Sequence, residues 1–269
     1  MRRFILFVMA HRDPQARALV EMRDLVIADR LEARLYTPRG APDAGPVLLY
    51  FHGGGFAFCD LDTHDALCAR LADAGAMRVL SCAYRRAPEH AFPAQRDDAV
   101  AAAHWLIAHA AELGADPARL AIGGDSAGGY LAEAALRTLG DEGQAFAARL
   151  LFSAMLDQRR PDAGPVARMV ARMVFWAVLP GGRVAVPSML AVAPQPWPPA
   201  VIVAGGGADP CRKDAMVFAE RLTTAGGRAN LLLYRGMIHG FGNFSHASGR
   251  VRAALDEIGR TLRQTIDAS

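Results

Sequence analysis

The sequence predicts an α/β fold in which a mostly parallel central sheet of about eight strands is flanked by helices. Two observations support this prediction. Short apolar runs bounded by Gly, Pro and polar residues alternate with longer segments of helical periodicity. A Gly-x-Ser-x-Gly segment also stands between an apolar run and a helical segment. With 269 residues and 52% hydrophobic content, the chain can form one large domain over residues 1–269.

Eight segments have the length and apolar character of strands. They are Asp24–Ile27, Leu31–Tyr36, Val47–Phe51, Val79–Ala83, Leu120–Ile122, Arg149–Phe152, Val201–Ala204 and Asn230–Tyr234. A tight turn at Ala28-Asp29-Arg30 is predicted between the first two. Most of the others are separated by helical segments, as expected for parallel strands covered on both faces.

Helical periodicity marks the intervening segments. We predict helices at Asp62–Ala74 and Asp97–Glu112, a third beginning at Ala127, and a final one with an apolar stripe formed by Val251, Leu255, Ile258, Leu262 and Ile266. The first part of the chain, Phe4–Met22, is interpreted as an apolar start followed by a helical piece.

One stretch interrupts the alternation of strands and helices. Residues 157–199 hold eight prolines and one amphipathic piece around Val166–Leu179. An insertion between two strands at this point would lie over the carboxyl ends of the sheet, where such sheets bind ligands. We therefore predict a reduced cap, formed by residues 1–23 and 157–199.

Composition argues against a nucleic-acid-binding or membrane-spanning protein. The net charge is +3, but Lys213 is the only lysine, and the arginines are interleaved with acidic residues. No run of 18 apolar residues occurs. The apolar start Phe4–Met9 is short and is followed by His11-Arg12-Asp13 instead of a cleavage site, so we expect no secretion signal.

The cysteines indicate a reducing compartment. Their spacing does not match a metal site, and they lie far apart at positions Cys59, Cys68, Cys82 and Cys211. Free thiols are the expectation for such a pattern. We therefore predict a cytoplasmic protein without a bound metal.

The segment Gly123–Gly129 has the form of a nucleophile elbow, a sharp turn from a strand into a helix. Side chains at Gly124 and Gly128 would collide with the neighbouring strand and helix. The turn exposes the hydroxyl of Ser126, and the helix N-terminus behind it favours negative charge. We predict Ser126 as a nucleophile; the alternative is an ordinary serine in a glycine-rich turn.

A serine hydroxyl needs a base and an orienting acid to react near neutral pH. In this arrangement the acid and the histidine follow the serine in that order. Asp209 follows one predicted strand and His239 follows the last one, so both fit. Asp157 also follows a strand and is the alternative acid. We expect Asp214 to open a helix and His246 to be a solvated cap.

The segment His52–Phe56, with three glycines in its middle, follows the strand Val47–Phe51. Backbone N–H groups directed at a tetrahedral oxyanion can each contribute ~3–4 kcal/mol. Glycines allow the main chain to approach the substrate. We predict the amides of Gly54, Gly55 and Ala127 as oxyanion donors, with His52 holding the loop by hydrogen bonds.

Four aromatic residues are candidates for contact with a substrate. Phe56 and Phe241 flank the predicted catalytic loops, and Phe175 and Trp176 lie in the predicted cap. Packing in the core is the alternative for each ring.

The motifs and their order resemble those of the hormone-sensitive-lipase-like carboxylesterases of the α/β-hydrolase superfamily. The motifs concerned are His52–Phe56, Tyr84–Ala94, Gly124–Gly129, Asp209-Pro210 and His239–Phe241. The resemblance, which runs from about Asp24 to the C-terminus, implies an α/β-hydrolase fold. It also implies an often dimeric serine esterase that needs no cofactor and acts on short- to medium-chain carboxylic esters through an acyl-enzyme.

Carried over to this chain, the resemblance assigns the nucleophile to Ser126, the acid to Asp209 and the base to His239. It assigns the oxyanion donors to Gly54, Gly55 and Ala127. Two other functions stay open on the sequence alone: hydrolysis of an amide such as an aryl formamide, and binding of a small molecule in an inactive hydrolase pocket.

The chain also departs from the family pattern. Only about twenty residues precede Asp24 and the insertion after Phe152 is short, which predicts a wide and wet cleft. Tyr130 and Cys211 stand where asparagine and leucine are common. The strand Asn230–Tyr234 would form a sheet edge, which predicts a homodimer.

Overall fold

The structure is a computed structural model that describes residues 13–157 and 186–269. Residues 1–12 and 158–185 lie outside the described part. Most of the predicted cap and the candidate residues Phe175 and Trp176 therefore lie outside it as well.

The described residues form an eight-stranded sheet with helices on both faces. The strands are β1 (Val20–Ile27), β2 (Leu31–Pro38), β3 (Gly45–Phe51), β4 (Arg78–Cys82), β5 (Ala115–Asp125), β6 (Phe146–Phe152), β7 (Ala200–Ala204) and β8 (Ala229–Leu233). Their order across the sheet is β1-β2-β4-β3-β5-β6-β7-β8. Strand β2 pairs antiparallel with β1 and β4, and all other pairs are parallel. The predicted fold class is confirmed.

Six α-helices cover the two faces of this sheet in the described part. They are α1 (Pro14–Arg17), α2 (Asp65–Gly75), α3 (Ala94–His109), α4 (Ala127–Leu139), α5 (Arg212–Thr224) and α6 (Gly249–Asp267). Helices α2 and α6 pack on one face, and α3, α4 and α5 pack on the other. The predicted stripe on α6, from Val251 to Ile266, is buried. No helix in these two ranges is long and apolar enough to cross a membrane.

The N-terminal part differs from the prediction. The helical piece expected to reach Met22 ends at Arg17, and Met22 lies in β1. Residues 20–23 pair with β2 and so belong to the sheet. Because β1 is an edge strand whose residues are mostly exposed, it lacks the apolar alternation that marks a buried strand.

The parallel strands bring the predicted motifs to one edge of the sheet. Strands β3, β5, β7 and β8 run in the same direction, so the loops after their carboxyl ends lie along the same edge. These loops contain His52–Phe56, Ser126, Asp209 and His239.

Candidate active site

Ser126 occupies the sharp turn between β5 and α4. Its φ of 52° and ψ of −113° lie in a region that residues with a side chain rarely adopt. The turn is held by a hydrogen bond from the Ser126 amide to the Phe152 carbonyl (2.9 Å) and by one from the Met155 amide to the Ser126 carbonyl (2.9 Å). A Cβ at Gly128 would overlap the carbonyl oxygen of Phe51. Glycine is therefore required where α4 crosses β3.

His239 links Ser126 to Asp209. Its Nε2 lies 3.0 Å from Ser126 Oγ, and its Nδ1 lies 2.9 Å from Asp209 Oδ1. The buried carboxylate also accepts hydrogen bonds from the Ser153 hydroxyl (2.7 Å) and the Gly205 amide (2.8 Å). Asp209, and not the alternative Asp157, thus faces the imidazole.

The surroundings of Asp209 and His239 favour the charged form of both side chains. Burial opposes ionisation of Asp209, but the hydrogen bonds from His239, Ser153 and Gly205 outweigh it and lower the pKa of the carboxyl group. Burial likewise opposes the charged form of His239, but its hydrogen bonds with Asp209 and Cys211 raise its pKa above the ordinary histidine value. The imidazole can therefore hold a proton taken from Ser126.

The glycine loop after β3 supplies free backbone donors. Gly54 (φ 102°) and Gly55 (φ 61°) have positive φ angles, and the Gly54 carbonyl accepts hydrogen bonds from the Ala57 and Phe58 amides. Across residues 13–157 and 186–269, the amides of Gly54, Gly55 and Ala127 have no acceptor in the protein. Ala127 is also the first residue of α4, where the helix dipole favours negative charge.

A buried polar network lies beneath this loop. Oδ1 of Asp125 accepts hydrogen bonds from the Gly53 amide (2.9 Å) and the Tyr50 hydroxyl (2.8 Å), and His64 Nε2 lies 3.1 Å from the same oxygen. His52 Nδ1 lies 2.8 Å from the Gly53 carbonyl. Burial, together with the electrostatic effect of the neighbouring His64, lowers the pKa of His52 to about 3. His52 is thus neutral and donates from Nδ1, in keeping with its predicted role in holding the loop.

The sequence analysis did not find two members of this network, Tyr50 and His64. Tyr50 lies in the apolar run Val47–Phe51, so the sequence indicates only that it belongs to a buried strand. His64 lies in a 3₁₀ turn before α2, and only the fold brings it beside Asp125.

Two rival residues of the sequence analysis have other surroundings. Asp214 lies in the first turn of α5, as predicted, and accepts hydrogen bonds from the Leu156 and Asp157 amides. The cap of α6 is Ser248, whose hydroxyl accepts from a backbone amide in the first turn of that helix. The prediction of His246 as the cap was therefore wrong, because the helix begins two residues later than expected for it.

The candidate substrate residues that the structure describes are buried. Phe56 packs edge-on against Tyr130 (centroid distance 5.6 Å), and Phe241 packs against Phe152 (4.9 Å). This is the packing expected of core residues, and contact of either ring with a substrate stays a prediction.

Three possible metal ligands occur together in the described residues. Donor atoms of Asp209, Cys211 and His239 lie within 4.8 Å of one another. Asp209 and His239 also share a hydrogen bond, and the carboxylate accepts from Ser153 and Gly205, so these two residues already have partners within the protein.

Comparison with known proteins gives the family. The family described as alpha/beta hydrolase fold matches residues 48–243. Carboxylesterase NlhH of Mycobacterium tuberculosis is 36% identical over 248 residues, which cover 86% of this chain and 76% of the relative. An ethyl acetate hydrolase of Pseudomonas putida is 34% identical over 228 residues, covering 78% and 71%.

The solved structures to which this chain is similar are also esterases. The thermostable carboxylesterase EstE1, cloned from a metagenomic library, has a TM-score of 0.83 and 31% identity, with 98% of this chain and 96% of that chain covered. An esterase of the bacterial hormone-sensitive lipase family has a TM-score of 0.83 and 30% identity, with 98% and 90% covered. The chain therefore belongs to the hormone-sensitive-lipase-like carboxylesterases of the α/β-hydrolase superfamily.

Proposed function

We propose that this protein is a serine carboxylesterase that hydrolyses short- to medium-chain carboxylic esters through an acyl-enzyme intermediate. The observation that supports it best is the hydrogen-bonded series from Asp209 through His239 to Ser126, with distances of 2.9 and 3.0 Å. The names of the relatives, carboxylesterase and ethyl acetate hydrolase, support an ester as substrate and a short acyl group.

In the first half-reaction, Ser126 Oγ attacks the ester carbonyl while His239 Nε2 takes its proton. Asp209 holds the imidazole with its Nδ1–H toward the carboxylate and stabilises the positive charge that develops. The oxyanion is stabilised by the amides of Gly54, Gly55 and Ala127. His239 then protonates the departing alcohol, which leaves an acyl group on Ser126.

In the second half-reaction, water takes the place of the alcohol. His239 removes a proton from the water as it attacks the acyl carbonyl, and the same three amides stabilise the second oxyanion. Return of the proton to Ser126 Oγ frees the carboxylic acid. All groups in this cycle belong to the protein, the ester or water, so the proposal includes no cofactor.

The proposal extends to assembly and location. We infer a homodimer that uses the edge strand β8 and its neighbours, where Leu233, Met216, Val217 and Ile238 are exposed large apolar residues. We also infer a cytoplasmic location, supported by four buried cysteines that form no disulfide with one another.

A panel of p-nitrophenyl esters with acyl chains from acetate to palmitate tests the function, with the matched p-nitroanilides as amide substrates. We expect kcat/KM to be greatest for acyl chains of about two to eight carbons and the anilides to react far more slowly. The Ser126→Ala variant should lose several orders of magnitude in turnover. A maximum at palmitate would contradict the proposed chain length, and faster cleavage of the anilides would favour an amidase.

A further inference from the structure

His64 lies where three loops of the candidate site meet. Its side chain is only 1% exposed. Its Nε2 lies 3.1 Å from Asp125 Oδ1, 3.4 Å from the Gly53 amide nitrogen and 3.5 Å from the side-chain amide of Asn243. The ring therefore touches the residue before Ser126, the residue before the oxyanion glycines and the segment that follows His239.

Thr63 holds the Nδ1 side of the ring. This nitrogen lies 3.1 Å from the hydroxyl oxygen of Thr63. That hydroxyl donates to the Asp60 carbonyl (2.8 Å) and accepts from the Asp60 amide (2.9 Å). The contact with Thr63 therefore helps to orient the ring with Nε2 toward Asp125.

The partner of Nε2 requires a donor. Burial opposes ionisation of Asp125, but His64 and the Tyr50 hydroxyl outweigh it and lower the pKa of this carboxyl group. An ionised carboxylate only accepts, so Nε2 donates to Oδ1. His64 and Asp125 therefore form a buried, hydrogen-bonded pair.

The ring also lies against the loop that carries His239. The side-chain amide of Asn243, in that loop, lies 3.5 Å from His64 Nε2.

We propose that His64 is a positioning residue of the esterase, which holds the oxyanion loop against the nucleophile turn through Asp125. Asp125 precedes Ser126 in the chain, and its Oδ1 accepts the amide proton of Gly53, the residue before Gly54. The carboxylate of Asp125 thus joins the two halves of the site, and His64 supplies one of the hydrogen bonds that hold it there. This inference rests on the proposed function, since positioning matters only if the amides stabilise an oxyanion.

Removal of the His64 donor would leave the buried carboxylate of Asp125 with fewer hydrogen bonds. The loop would then relax toward water, and the amides of Gly54 and Gly55 would lose their fixed distance from Ser126. Loss of a single oxyanion donor lowers kcat by about 10²–10³-fold in serine hydrolases. Misplacement without loss should cost less, about 10–100-fold in kcat, with a small change in KM.

The test compares His64→Leu with His64→Gln. The Nε2 of glutamine stands as many bonds from the backbone as the Nε2 of histidine, so glutamine can still donate to Asp125. We expect the leucine variant to lose at least about 10-fold in kcat on p-nitrophenyl butyrate, with KM within about 3-fold. The glutamine variant should recover most of this loss. His104→Gln is the control, because His104 is exposed on α3 and pairs with Glu142.

Hydrogen exchange gives a readout that does not depend on activity. Amides in residues 51–58 should exchange faster in the leucine variant than in the wild type, whereas α6 should be unchanged. If the leucine variant does not fold, Thr63→Val replaces it. It removes the hydroxyl that contacts Nδ1, together with the two hydrogen bonds of that hydroxyl to the Asp60 backbone. A drop in kcat with constant KM is expected there too.

Three results would overturn the proposal: a folded leucine variant with kcat within twofold of the wild type, unchanged exchange in residues 51–58, or a folded glutamine variant as slow as the leucine one. If Thr63→Val carries the test, unchanged kcat in that folded variant would overturn it as well. A wild-type protein that cleaves no ester would refute the proposed function instead. The exchange measurement would then still decide whether His64 holds the loop.

Discussion

At the scale of single residues, the pair of Asp209 and His239 sets the pH range in which the site can react. His239 must be neutral to accept a proton from Ser126, yet Asp209 and Cys211 stabilise its charged form and raise its pKa. The rate should therefore rise with pH as the imidazole loses its proton. The rising limb of kcat/KM is expected above pH 6.5, the ordinary histidine value.

Asp209→Asn tests this account. The substitution removes a partner that raises the pKa of His239, so the rising limb of kcat/KM should move to lower pH. Because asparagine can hold the imidazole in the wrong tautomer, kcat should fall by about 10³–10⁴-fold. Steady-state kinetics between pH 5 and pH 10 give both quantities.

Asp157→Asn is the matched control, since Asp157 was the other candidate acid on the sequence alone. It should leave the limb in place and change kcat by less than about 3-fold. A limb that stays in place in the Asp209→Asn variant would contradict the assigned cause of the shift.

The residues of the site differ in how far the sequence could predict them. Ser126, Asp209 and His239 follow strands in a fixed order, and the structure brings all three into hydrogen-bonding contact. Asp157 follows a strand as well, so only the fold could separate it from Asp209. His64 could not be predicted, because its pairing with Asp125 spans 61 positions of the chain and has no local pattern.

At the scale of elements, α4 is fixed to the sheet by buried charges. Glu133 on α4 and Arg149 on β6 are both 0% exposed and pair at 2.8 Å. Glu133 also pairs with Arg137 at 3.0 Å, and Arg149 donates to the Gln195 carbonyl at 2.7 Å. Since the turn at Ser126 leads directly into α4, this cluster also helps to fix the nucleophile.

We predict that Glu133→Leu destabilises the fold more than Arg149→Met. The first variant leaves the buried guanidinium group of Arg149 and the partly exposed one of Arg137 without their carboxylate, which should lower the free energy of unfolding by about 3–5 kcal/mol. The second leaves Glu133 paired with Arg137 and should cost less. Urea unfolding followed by circular dichroism measures both.

Arg96→Met serves as the control, because Arg96 and its partner Asp97 are exposed. It should change the free energy of unfolding by less than about 1 kcal/mol. An effect of Glu133→Leu no larger than that of the control would show that the buried cluster does not hold α4.

Elements also differ in how well a pattern reveals them. Strands β3, β4, β6 and β7 are buried along their whole length, and their apolar runs predicted them within two or three residues. Strand β1 begins four residues before its predicted start, because most of its residues are exposed and carry no period. The apolar pattern that predicts a strand arises from burial, and most residues of β1 are not buried.

At the scale of the whole molecule, the sheet ends in the two edge strands β1 and β8. The inferred dimer uses the β8 edge, so light scattering after size exclusion should give twice the 28.7 kDa of the chain. Leu233→Lys puts a charge on this edge and should yield monomers. Val26→Lys, on β1, should leave the dimer intact. A monomeric wild type at working concentration would contradict the inference.

The most direct test of the account is covalent trapping at Ser126. The protein is incubated with an organophosphonate p-nitrophenyl ester, and the adduct is located by mass spectrometry of a digest. The account predicts about one phosphonyl group per chain, attached to Ser126, with ester hydrolysis lost in proportion. Labelling at another residue, or a Ser126→Ala variant that still turns over esters at nearly the wild-type rate, would contradict it.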